Sequence, residues 1–91
     1  MVQERLGNVK EGEFLDGFKI RECLLKLKMA DKNINQRWLV RQLRKHGFST
    51  LWEPAFTNIL DGLKTSSSDA IIETAFKILE KEAMRLNVKL T

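Results

Sequence analysis

Arg37, Arg41 and Arg44 recur at i, i+4 and i+7 within "NQRWLVRQLRKHG", a spacing that sets three guanidinium groups on one face of a helix. A guanidinium is a rigid fork of donors matched to phosphate. Such a row is therefore either a track for a polyanion or a plain solvated helix face. The surrounding charge bears on the choice. Residues 16 to 64 carry ten bases (Lys19, Arg21, Lys26, Lys28, Lys32, Arg37, Arg41, Arg44, Lys45, Lys64) against five acids (Asp16, Glu22, Asp31, Glu53, Asp61). The last 27 residues are balanced and the first 15 are slightly acidic, so the net charge of +4 is concentrated mid-chain, as a polyanionic partner would require. Residues for covalent or acid-base chemistry are sparse. His46 and Cys23 are the only members of their types and form no nucleophile pattern. His46 near a helix C-terminus suits a dipole partner, and Cys23 suits packing. Metal-ligand spacings and a glycine-rich phosphate loop after a strand are both missing, and the expectation is a non-enzyme without metal or cofactor.

These residues need elements to hold them. Ile20, Leu24 and Leu27, with Cys23 beside them, predict a first helix over about 16–30, capped by Asp16 and ended by "ADKN". Asn35 predicts the cap of a second helix, with Leu39 and Leu43 one turn apart and Gly47 as its stop. After the apolar link "FSTLW" comes "EPAFTNILDG". Pro54 fits a first helical turn, Phe56, Ile59 and Leu60 form one side, and Gly62 halts the segment. Its polar positions Glu53, Thr57, Asn58 and Asp61 point elsewhere. A serine run then opens a long fourth helix with Asp69 near its start and Ile72, Ala75, Phe76, Leu79, Ala83 and Leu86 as its stripe. Trp38 is expected at the rim of the core. Trp52 is expected to fill the gap left by the long link, the alternative being an exposed Leu51–Trp52 pair that binds protein.

The class is all-α, a small bundle of four to five helices in a single domain over 16–88, preceded by an arm over 1–15 that is flexible or ordered on contact. Ninety-one residues allow one modest core. No apolar run approaches the roughly 20 residues that cross a bilayer. The opening segment lacks the continuous apolar block of a secretory signal, and a lone cysteine suits a reducing compartment, so a cytoplasmic location is expected.

The order of these elements, with Gln36, Leu39, Val40 and Leu43 in the second helix and Phe56, Ile59, Leu60 and Gly62 within "FTNILDGLK", resembles the lambda-repressor-like helix-turn-helix family, also called Cro/CI or XRE. The resemblance spans about residues 18–83. It departs from the family in the stretch "RKHGFSTLWE" between Leu43 and Pro54, several residues longer than the usual tight turn. The resemblance implies a sequence-specific regulator of transcription, a repressor or Cro-like switch, that binds double-stranded DNA as a homodimer. It makes the helix around 53–61 the major-groove reader, with Glu53, Ala55, Thr57 and Asn58 toward the bases. Gln36 and Lys64 would then touch backbone, and Arg37, Arg41, Arg44 and Lys45 would add sequence-independent attraction. Leu79, Ala83 and Leu86 are the expected dimer surface. The competing expectation keeps the fold but turns it on protein, as an antirepressor or accessory factor that grips its partner with Leu51, Trp52 and the last helix.

Overall fold

The structure, a computed structural model, describes residues 16–90. The expected arm over 1–15 lies outside the described residues. Four helices and no strands are present among them: α1 (Gly17–Ala30), α2 (Gln36–Lys45), α3 (Glu53–Leu60) and α4 (Ser68–Leu86). α4 packs on α1 and α2, and α3 packs on the same two helices. The all-α architecture expected from periodicity is therefore present, with four helices.

Each boundary has a local cause. Asp16 Oδ1 accepts from the Lys19 amide at 3.0 Å and Asn35 Oδ1 from the Trp38 amide at 2.8 Å, so both caps sit where their residue types suggest. α1 stops where the Asp31 carboxylate accepts the Asn33 amide and Ile34 turns into the core. The other three helices end alike. Gly47 (φ 114°), Gly62 (φ 112°) and Asn87 (φ 58°) are left-handed, and the amides of Phe48, Leu63 and Val88 reach back to the carbonyls of Leu43, Asn58 and Ala83. This is the Schellman closure, which satisfies two orphan carbonyls and folds the next apolar residue over the helix end. Phe48 and Val88 accordingly pack against the core.

At the start of α4 the serine run acts differently from the expected cap. Ser67 makes no side-chain cap bond, while the buried Ser68 hydroxyl donates to the Thr65 carbonyl and accepts the Thr65 amide, both at 3.1 Å. The α4 stripe is also broader than the sequence pattern, with Ile71 and Ile78 buried beside Ile72, Ala75, Leu79 and Ala83, because two helices cover it. Packed chain continues past residue 88: Leu90 is buried and its carbonyl accepts Lys26 Nζ at 3.0 Å.

One contact sets how closely α1 and α3 approach. Gly17, the first residue of α1, lies so close to the end of α3 that a Cβ on it would meet the Leu60 carbonyl oxygen at 1.8 Å and the Leu60 Cα at 2.5 Å. Two backbones touch there without a side chain between them. Helix propensity alone favours Gly17→Ala by up to about 1 kcal/mol. The clash opposes it, and overpacking of this kind costs about 1–3 kcal/mol. Gly17→Ala is therefore expected to lower the melting temperature by roughly 5–10 °C, at about 4–8 °C per kcal/mol for a chain of this size. An unchanged or raised melting temperature in circular dichroism would show that the approach is not tight.

Candidate nucleic-acid interface

α3 has only eight residues and no side-chain bond at its N-cap, Trp52, so its position depends on its neighbours. Three polar ties supply it. Gln36 Nε2 donates to Thr57 Oγ1 at 2.6 Å, and that hydroxyl donates to the Glu53 carbonyl at 3.1 Å. Arg37 Nε faces Glu53 Oε1 at 3.6 Å, the weakest of the three because the guanidinium is largely in solvent. Arg21 Nη1 meets Asp61 Oδ1 at 2.7 Å, joining α1 to the far end of α3. With Phe56, Ile59 and Leu60 buried, the outward stripe of α3 is Pro54, Asn58 and Asp61, with Glu53 and Thr57 half-buried along its α2 side.

The link between α2 and α3 is residues 46–52. Phe48 packs on the core, Leu51 is buried at 8% exposure, and the Leu51 amide donates to the Phe48 carbonyl at 3.0 Å. Arg44 Nε donates to the Leu51 carbonyl, returning the link to the last turn of α2. A long connection is thus pinned at several points. Arg37, Arg41 and Arg44 share an open cleft of about 230 Å³ with Val40 and Glu53 at the α2–α3 junction. Arg41 and Lys45 are exposed and make no ion pair among the described residues. Lys64 faces Asp69 at 3.6 Å with both side chains in solvent, an ion pair of little stabilising value.

The residues singled out from sequence separate into distinct groups. Asn58 stands exposed on the outward stripe, and Glu53 lies beside it but ion-paired. Thr57 is engaged in bracing α3 to α2, with Gln36 as its partner. Ala55 lies on the opposite flank, half-buried and facing the link through Phe48, Leu51 and Trp52. Three of the expected partner-surface residues are core: Leu79 is fully buried, Ala83 is 4% exposed and Leu51 8%, while Leu86 is half-buried. α1 and α2 together cover the α4 stripe that looked too long for its partners. Trp52 reverses its expectation, at 60% exposure, because Phe48 and Leu51 already occupy the space under the link. Trp38 lies half-buried against the core, as expected at its rim.

Gly17 and Arg21 have roles that the sequence does not single out. An Asp cap followed directly by glycine was the available signal for Gly17; Arg21 carries none, since only the packing brings it to Asp61, whereas Ser68 bonds Thr65 three residues away in the turn that the serine run marks. Cys23 is fully buried, and desolvation pushes its thiol above the usual range despite nearby Lys19 and Lys26, so it is a packing group and not a nucleophile. Among the described residues no group of three or more His, Cys, Asp or Glu is placed to hold a metal, and no helix is long and apolar enough to cross a membrane.

No family model, curated protein or solved structure matches the chain. The geometry of α2 and α3 is therefore what bears on function.

The Gln36–Thr57 bond is open to a direct test. A double-mutant cycle of Gln36→Ala and Thr57→Val is expected to give a coupling of about 0.5–1.5 kcal/mol in denaturant unfolding, the net value of a partly buried neutral hydrogen bond. Strictly additive losses would mean that the bond holds nothing.

Proposed function

We propose that this chain is a helix-turn-helix protein of the lambda-repressor-like kind that binds double-stranded DNA sequence-specifically and regulates transcription. The observation that carries the reading is the mounting of α3: a short helix, stopped at both ends and tied to α2 and α1 by three polar contacts, presents a polar stripe to solvent beside the arginine face of α2. A reading helix needs that combination, because base edges are read by side chains held at fixed depth while phosphate contacts set the register.

Asn58 is the best-placed reader, with an amide able to pair bidentately with adenine. Arg41 and Lys45 attract phosphate, and Arg37 and Arg44 join them at the cleft. The acids at the two ends of α3 do not stand as bare charges against DNA, since Arg37 faces Glu53 and Arg21 meets the C-cap Asp61. Eight residues of helix read few base pairs, so the regulator acts as a homodimer on a two-fold site, its second copy seated on a face other than the buried Leu79 and Ala83.

One observation favours a second reading, an interaction module for protein. Trp52 stands 60% exposed at the edge of an open groove of about 420 Å³ floored by Phe48, Leu51, Ile59 and Ile71. Exposed tryptophans beside apolar grooves are typical anchors of protein interfaces.

Selection from random duplex DNA at low and moderate salt separates the two. Enrichment of a two-fold motif supports the regulator. No retention of any duplex at low salt by folded protein would remove it in favour of the protein partner. On the selected site, Asn58→Ala is expected to lose about 1–3 kcal/mol of discrimination at one base position. Arg41→Ala is expected to weaken all duplexes alike and reduce the slope of log K against log salt by about 1. Equal effects of the two variants on every sequence would deny Asn58 its reading role.

A further inference from the structure

α2 has a second face, turned away from its arginine row. Trp38, Gln42 and His46 follow one another at i, i+4 and i+8, opposite Thr74, Ile78 and Lys81 of α4, with Lys77 beside them. Between the helices lies a groove of about 390 Å³, within the range of roughly 300–1,000 Å³ that suits small molecules. Its floor is apolar and fixed: Ile78 is buried and the Trp38 indole packs against the core. A flat ring held on a core-anchored indole has little entropy left to lose.

The rim is cationic. Lys77 and Lys81 stand one turn apart, exposed, with no carboxylate within ion-pair distance among the described residues. The one acid at the groove, Glu82, is matched by Arg85, whose Nη2 and Nε donate to Glu82 Oε2 at 2.7 and 3.0 Å. Polar groups inside are also free. The Trp38 indole N–H, the Gln42 amide and the Thr74 hydroxyl have no hydrogen-bond partner among the described residues. His46 instead donates Nδ1–H to the Gln42 carbonyl at 2.9 Å, which holds its ring at the mouth.

We propose that the α2–α4 groove binds a small planar aromatic acid, its ring on Trp38 and Ile78 and its carboxylate between Lys77 and Lys81. An aromatic floor alone would take any flat ring. The paired, unmatched lysines select the anion, and the solvent-facing N–H and amide groups orient it. The site is independent of the DNA reading, because it lies on the face of α2 remote from Arg37 and Arg41.

The test uses indole-3-acetate and its neutral counterpart indole-3-acetamide, titrated into the labelled 91-residue chain and followed by amide and indole NMR signals. Trp52→Phe assigns the two indoles. Saturable shifts of the Trp38 indole and of Gln42 and Thr74 are expected with the acid, at a Kd of ~1 mM or below. The acetamide should bind about 10-fold more weakly. Lys77→Gln with Lys81→Gln, both surface changes whose fold the same spectra verify, should remove the preference for acid over amide. The proposal is overturned by the lack of a saturable shift at several millimolar, by equal binding of acid and amide, or by shifts confined to the Arg37–Arg41 side.

Discussion

The close approach of Gly17 to Leu60 is the constraint on which the rest of the arrangement depends. α3 is too short to be a stable helix by itself, and its apolar side has only Phe56, Ile59 and Leu60 to bury. Its orientation must come from outside. A backbone-to-backbone contact at its last turn, with no side chain to act as a spacer, fixes how near α1 can come. Arg21 and Asp61 close the same corner with charge, while Gln36 and Arg37 hold the opposite end. The polar stripe between these anchors is then presented at a defined depth.

The long link between α2 and α3 does not loosen this mounting. Loop closure costs little more for seven residues than for four, provided that the added residues find partners. Here Gly47 turns the chain, Phe48 and Leu51 enter the core, and Arg44 takes the Leu51 carbonyl that the irregular backbone leaves open. Two apolar residues fill the available volume and the third, Trp52, is displaced outward. The exposed indole is thus a geometric by-product of a link long enough to need filling, and it also leaves an apolar groove beside it.

Charge is distributed with the same economy. The acids at the two ends of α3 each face an arginine from a neighbouring helix, whereas Arg41 and Lys45 on α2, and Lys77 and Lys81 on α4, stand without an ion-pair partner among the described residues. α2 consequently separates two unlike surfaces. One side is an arginine cleft beside α3 and the other an aromatic-floored groove against α4.

Sequence alone determined the local features: the caps at Asp16 and Asn35, the stops at Gly47 and Gly62, the four helical stripes and the arginine row. Each depends on residue types a few positions apart, where backbone hydrogen bonds and helical periodicity act. It did not reveal which residues of a stripe were covered or what filled the link. Leu79 and Ala83 looked available and Trp52 looked buried because periodicity assigns a face without saying how many neighbours cover it. The tertiary structure decided those outcomes. It also tied Thr57 to Gln36, put Ala55 on the far flank and gave Gly17 its role. A hydrogen bond across twenty-one residues or a contact between two backbones leaves no periodic trace in the chain.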